Sequence, residues 1–173
     1  MKHLAGRLLA AGFGLLAVGA SYQETVMAWS HNLARRRTSE ALDRASKIVP
    51  LNAAFLRERG ILTLDSNPQV AEHLLQRAVA LNAYDADALI GLGLLAESGG
   101  SVEDAEEHLI RAVNVSRRFK PKWALASFYA RQGRLDSFWP MASAAANVEA
   151  GDPQPIFRLA HQVLKDPERP PSL

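Results

Sequence analysis

The fold is decided by Val102-Glu-Asp-Ala-Glu-Glu-His-Leu-Ile-Arg-Ala-Val113, which carries small and aliphatic residues at helical spacing. Ala105, Leu109, Ala112 and Val113 fall on one stripe of a helix, and charged residues occupy most of the remaining surface. The stretch therefore predicts an amphipathic helix that buries one side against a neighbouring element.

The same pattern occurs earlier in the chain at a fixed offset of 34 residues. The matching pairs are Ala71 with Ala105, Glu72 with Glu106, Leu75 with Leu109, Arg77 with Arg111, Ala78 with Ala112 and Val79 with Val113. A shift of 33 residues aligns Leu42, Arg44 and Ala45 with Leu75, Arg77 and Ala78. An internal repeat of this length is typical of stacked helix–turn–helix units.

The helix that precedes the quoted stretch adds further matching positions. The set is Leu89, Leu92, Gly93, Ala96, Ala105, Leu109 and Ala112. At this spacing the chain resembles the tetratricopeptide repeat family, with its close unit at 85–118 and looser units on either side. The resemblance implies an all-α solenoid of antiparallel helix pairs, and Gly93, which has no side chain, is expected to let the second helix approach closely.

The C-terminal third carries a second resemblance. The matching runs are Trp123 to Gly133, Phe138-Trp139 and Gly151 to Leu159. They are similar to membrane-anchored bacterial repeat proteins that occur with cell-envelope polysaccharide machinery. This resemblance implies a setting in the cell envelope.

Capping and turn residues divide the chain into elements. The predicted helices are 4–34, 38–48, 52–64, 68–81, 85–98, 102–115, 121–132, 135–148 and 153–165. Gly100 is expected to end one helix in the left-handed conformation and Ser101 to cap the next. Pro140 is expected in a first turn. The domains are a basic N-terminal segment at 1–37, the repeats at 38–165 and a disordered tail at 166–173.

The N-terminal segment has the layout of a secretory signal or a membrane anchor. Lys2 and Arg7 precede residues 8–20, none of which has a polar side chain. Cleavage after Ala20 would release a soluble periplasmic protein, whereas an uncleaved helix at 4–29 would lie in the membrane. We expect the bacterial inner membrane, with the repeats in the periplasm.

Composition excludes several classes of protein. The chain has no cysteine, which rules out disulfides, thiolate zinc sites and iron–sulfur clusters. Residues 1–37 hold five Lys and Arg and a single Glu, so the other residues are slightly acidic in sum. Phosphate binding needs a basic surface, so nucleic acid is not an expected partner. The sequence indicates no cofactor, metal or small-molecule substrate.

The polar residues show no catalytic pattern. The five histidines are scattered, without the paired spacing of zinc proteases. The acidic residues from Glu103 to Glu107 are explained by the dipole at the start of a helix. We therefore expect a protein that is not an enzyme. The alternative is an accessory subunit of an envelope enzyme, or a hydrolase, with a polar pocket in the groove. A deep pocket formed by Asp152, Arg158 and His161 would favour it.

The first helix of each repeat lines the concave face in this architecture. The groove positions carried over from the family by spacing are Arg57, Ile61, Leu64, Asp87, Ile90, Leu94, Phe128, Arg131 and Gln132. Their mixed character suits a peptide or helix from a partner protein. The alternative is that these residues are buried against a neighbouring helix.

A basic patch around one turn completes the set of candidates. Its members are Arg117, Arg118, Lys120 and Lys122. It would dock an acidic partner or lipid headgroups, or else form a solvated loop. The sequence as a whole predicts a non-catalytic interaction or scaffold module, tethered to the membrane, that binds a partner protein in its groove during envelope or polysaccharide assembly.

Overall fold

The computed structural model describes residues 39–49 and 52–148, together with Gln154, Arg158 and His161. These residues form helices and turns without any strand, which confirms the all-α prediction for this part of the chain. The helices are α1 (Ser39–Ile48), α2 (Ala53–Leu62), α3 (Pro68–Leu81), α4 (Ala86–Ser98), α5 (Val102–Val115), α6 (Phe119–Arg131) and α7 (Leu135–Ala146).

The predicted boundaries agree closely with the observed ones. The ranges 68–81 and 102–115 coincide with α3 and α5. Helix α6 begins at Phe119, ahead of the predicted position 121, and α7 ends at Ala146. Pro140 lies inside α7 and not in its first turn, so that prediction was wrong.

Three of the expected segments, among them the tail at 166–173, fall wholly or mostly on residues that the structure does not describe. The predicted helix at 4–34 lies outside the described residues. Of the predicted helix at 153–165, only Gln154, Arg158 and His161 are described, and each is helical. Among the described residues, no helix combines the length and the apolar character that crossing a bilayer requires.

Side chains at the helix starts satisfy backbone groups that the helix itself leaves unpaired. The observed bonds run from the N–H of Phe55 to Asn52, from that of Val70 to Asn67 and from that of Ala88 to Asp85. Ser101 stands at the N-cap of α5, but its hydroxyl donates to the Asp104 carboxylate at 2.6 Å and accepts no backbone N–H. The left-handed Gly100, with φ of 84°, ends α4 as predicted.

Glycine allows the same close helix contact in two successive pairs. A Cβ placed on Gly60 would lie 2.7 Å from Cγ of Leu75, and one on Gly93 would lie 2.8 Å from Cγ of Leu109. In both pairs the carbonyl oxygen one turn before the leucine is 3.3 Å away. The expected role of Gly93 is thereby confirmed, and the α2–α3 contact recurs between α4 and α5.

The third helix pair fills the equivalent positions with different side chains. Ala126 in α6 and Ala142 in α7 follow Gly93 and Leu109 by 33 residues, and both are buried. An extra methyl on α6 is thus accompanied by a smaller side chain on α7. The two side chains therefore change in opposite directions in size, which limits overpacking where the helices meet.

Each helix packs against the next helix in the sequence, and some of the even-numbered helices also contact one another. Helix α4 also contacts α2 on one side and α6 on the other. These three helices therefore lie side by side and form one face of the molecule, which we call the inner face. The arrangement is all-helical and compatible with a helical repeat fold.

The buried side chains form two apolar clusters. The smaller one joins α2, α3 and α4 through Leu56, Leu74, Leu75, Ala78, Ala88 and Leu92. The larger one joins α4 to α7 and includes Leu89, Leu109, Leu125, Phe128 and Phe138. Both clusters include residues of α4, which is buried along most of its first two turns.

Candidate protein-binding face

The predicted groove residues all lie on or directly after the helices of the inner face. Leu64 and Gln132 follow the ends of α2 and α6, and the others lie within α2, α4 and α6. The structure divides them among two open cavities and a buried centre. One cavity lies near the starts of α4 and α6, and the other lies near their ends.

The centre of the inner face is closed to solvent. Phe128 is 0% exposed and Ile90 is 6% exposed, and both belong to the larger apolar cluster. Phe128 packs against Tyr129 with ring centroids 5.6 Å apart. This corrects the prediction that Phe128 and Ile90 line an open groove, because the large side chains fill the contact between helix pairs. Ile61 is half-buried against the smaller cluster.

The cavity near the helix ends is mainly apolar and has a volume of about 350 Å³. We call it the apolar cavity. The cavity near the helix starts is larger, at about 470 Å³. Three predicted residues line it, namely Leu64, Leu94 and Arg131. Leu94 remains 36% exposed, so it offers an aliphatic surface to a ligand.

An ion pair closes one side of the apolar cavity. Arg131 donates to both carboxylate oxygens of Glu97, at 2.8 and 2.6 Å, and Gln132 adds a third bond at 3.3 Å. The side chains of Arg131 and Glu97 are only 15% and 16% exposed. The paired geometry is the strong form of a carboxylate–guanidinium contact, and it joins α4 to α6.

The other cavity, which we call the polar cleft, has charged walls. Its charged lining residues are Arg57, Asp85, Asp87, Arg118 and Lys120. Asn82, Tyr84, Ala86, Val115, Ser116 and Pro121 complete the wall. The cleft thus combines two of the predicted groove residues with two members of the predicted basic patch.

Arg57 is held by two carboxylates. It donates to Asp85 at 3.1 Å and to Glu58 at 3.0 Å. Burial works to lower the pKa of Arg57, but these hydrogen bonds and charges outweigh it and raise the pKa. Asp85 is 7% exposed and also caps α4, so one carboxylate fixes both the helix start and the arginine. Sequence analysis did not select Asp85, although its N-cap position was a signal.

The basic patch is divided by the fold. Lys120 donates to Asp87 at 2.6 Å, and Lys122 donates to the carbonyl oxygen of Arg117 at 2.8 Å. Arg118 and Lys120 line the polar cleft, whereas Arg117 and Lys122 do not. Arg117 and Arg118 are exposed.

A further polar cluster joins α5 to the α6–α7 turn. Tyr129 donates to Glu106 at 3.0 Å, and Arg134 bonds the same carboxylate while its guanidinium lies 4.9 Å from the tyrosine ring centroid. The Arg134 hydrogen bond lowers the pKa of Glu106, and burial raises the pKa of Tyr129. Sequence analysis missed this cluster because its members come from three separate elements.

A third cavity of about 620 Å³ lies between α3, α4 and α5 and is lined partly by His108, Glu72 and Asp104. Nδ1 of His108 is buried without a hydrogen-bond partner. Burial lowers the pKa of His108, and the charge of Arg111 acts in the same direction. No cluster of metal-binding side chains occurs among the described residues.

Comparisons with models of protein families and with curated protein sequences give no match. The class that the fold defines is therefore the coarse one, an all-helical protein compatible with a helical repeat.

Proposed function

We propose that this chain is a tetratricopeptide-like repeat module that binds a segment of a partner protein along its inner face. The module is non-catalytic and acts as a scaffold in bacterial cell-envelope or polysaccharide assembly. The observation that carries the proposal is that two open cavities of different chemistry lie on one face built from α2, α4 and α6.

The repeated contacts support the repeat architecture. The Gly60–Leu75 and Gly93–Leu109 contacts match in geometry and are separated by the repeat length. Stacked helix pairs of this kind bury a continuous core and leave an extended surface. Such a surface suits recognition of a chain segment better than catalysis, which needs convergent polar groups.

The two cavities support a ligand that is longer than one side chain. The apolar cavity offers Leu94 and the half-buried Leu64, whereas the polar cleft offers charged groups. A peptide or helix that spans both cavities would place an apolar residue in one and a polar residue in the other. The closed centre around Phe128 then separates the two contacts.

Partner capture by matched variants tests this proposal. Full-length protein is extracted from membranes with its partner, and Leu94→Asp is compared with Ile110→Asp on α5, where Ile110 is 38% exposed and lines none of the three cavities. We expect Leu94→Asp to reduce recovery of the partner while Ile110→Asp does not. Equal recovery from both variants would contradict binding at the inner face.

We also propose that residues 1–37 tether the module to the inner membrane and place the repeats in the periplasm. The support is the cationic start followed by the apolar residues 8–20. Alkaline phosphatase fused after Leu173 is expected to be active in intact cells. The intact mass of the protein isolated from whole cells shows whether the segment has been removed after Ala20, which would indicate a soluble periplasmic protein.

A further inference from the structure

The polar cleft contains more hydrogen-bond donors than its own acceptors satisfy. Both of its carboxylates are occupied, since Asp85 bonds Arg57 and the start of α4 while Asp87 bonds Lys120. Among the described residues, the guanidinium of Arg118 has no side-chain partner, and Nε of Arg57 is buried without an acceptor. The buried Nε of Arg57 is therefore a donor without an acceptor, and the exposed Arg118 guanidinium is open to a carboxylate from outside.

We propose that the polar cleft receives an acidic side chain, aspartate or glutamate, from the partner segment. This inference rests on the proposed function and adds the chemical class of one anchor residue. Arg118 can bond a carboxylate through two parallel N–H groups, and Lys120 can supply a second cation from the same wall. The carboxylate belongs to a side chain within the segment, so no free chain end is required.

The walls of the cleft favour a peptide over a membrane surface. Asp87 is 40% exposed in the wall beside Lys120, and Glu58, which lies next to the wall, is 31% exposed beside Arg57. A lipid surface presents many phosphates at once, and these carboxylates would repel them. A single acidic side chain can approach Arg118 and keep its distance from Asp87.

Tyr84 adds an apolar contact for the neighbouring residue of such a segment. It lines the polar cleft and is 77% exposed. An exposed aromatic ring beside paired charges is a frequent anchor in protein interfaces. The volume of about 470 Å³ lies in the usual range for clefts that hold a ligand.

The test uses the full-length protein in a neutral detergent and a hexapeptide probe with two adjacent glutamates. The probe is acetylated and amidated, so its ends are uncharged. We expect it to shift the backbone amide resonances of Ser116 and Lys120, and we expect the glutamine version of the peptide to leave them unchanged. Arg118→Glu is expected to weaken binding about tenfold.

Arg77→Glu is the matched control, because Arg77 is exposed on α3 and lines none of the three cavities. It should leave probe affinity unchanged, and an unchanged melting temperature in Arg118→Glu shows that the variant folds. Equal binding of the glutamine peptide, or equal weakening by Arg77→Glu, would overturn the proposal. Larger shifts at Ser116 with inorganic phosphate or phosphatidylglycerol would also overturn it, in favour of a phosphate site or a lipid surface.

The results of the two experiments distinguish a wrong acidic anchor from a wrong proposed function. Partner capture that depends on Leu94 but probe binding that ignores Arg118 would remove the acidic anchor and leave the inner face as the binding surface. Capture that ignores Leu94 would remove the proposed function itself.

Discussion

At the scale of single residues, the helix contacts around glycine have little room for change. The Cβ of an alanine at position 93 would come within 2.8 Å of Leu109. Gly93→Ala improves helix propensity by about 1 kcal/mol, but overpacking acts against this gain. The balance depends on the side chain that faces the new methyl group.

A double-mutant cycle of Gly93→Ala and Leu109→Ala measures that dependence. We expect the effect of Gly93→Ala on the free energy of unfolding to become more favourable by about 1–2 kcal/mol when Leu109 is alanine. The double variant resembles the natural Ala126 and Ala142 pair. Additive effects in urea denaturation would contradict the contact.

Phe128 is expected to behave as a core residue. Because its side chain is fully buried, Phe128→Ala should lower the free energy of unfolding by about 3–5 kcal/mol. Tyr84→Ala is the aromatic control, since Tyr84 is largely exposed and should change stability little. A small loss of stability in Phe128→Ala would indicate that Phe128 lines the groove and is not part of the core.

His108 gives the molecule a predicted pH dependence. Its folded pKa is lowered from 6.5 by burial and by Arg111, although Glu107, Asp104 and Glu72 act in the opposite direction. As the pH falls through 6.5, His108 is therefore protonated in the unfolded chain before it is protonated in the folded one. The free energy of unfolding decreases over the same range.

Denaturation of the parent and His108→Gln between about pH 7.5 and 5 checks this effect, since the range brackets the ordinary pKa of histidine. The stability advantage of the parent over the variant should shrink as the pH falls. A constant difference across the range would show that His108 titrates alike in both states.

At the scale of helices, ion pairs connect neighbouring members of the inner face at the repeat spacing. Asp87 and Lys120 are 33 residues apart, and Glu97 and Arg131 are 34 apart. In both pairs α4 supplies the acid and α6 the base. The exposed Asp87–Lys120 pair contributes little to the free energy of unfolding. The Glu97–Arg131 pair is mostly removed from water, so the loss of one partner costs more.

Removal of Arg131 is therefore expected to destabilise more than removal of both partners. Arg131→Met leaves the Glu97 carboxylate half-enclosed and should cost about 3 kcal/mol in free energy of unfolding. The double variant with Glu97→Gln should recover part of that loss, as measured by urea denaturation. No recovery would show that Arg131 acts through its packing alone.

The sequence predicted the helices well because their signals are local. The apolar stripe of α5 and the cap residue Asn67 act within a few positions, so 68–81 and 102–115 could be read directly. The burial of Phe128 could not be predicted in this way, because it depends on contacts between helix pairs. The Glu97–Arg131 pair had a usable signal, namely opposite charges at equivalent repeat positions.

At the scale of the whole molecule, the lateral contacts of α2, α4 and α6 leave two cavities separated by a closed centre. The charge of the chain is also divided, with the basic residues of 1–37 set apart from a slightly acidic remainder. If residues 1–37 are the proposed tether, the module presents its inner face to a partner in the same compartment.

Photocrosslinking in cells tests the inner face most directly. A photoreactive amino acid is placed at position 94 or, as a control with similar exposure, at position 110 of the full-length protein. We expect position 94 to crosslink to one discrete partner protein and position 110 not to do so. Crosslinks to that partner from position 110 alone, with none from position 94, would contradict binding at the inner face.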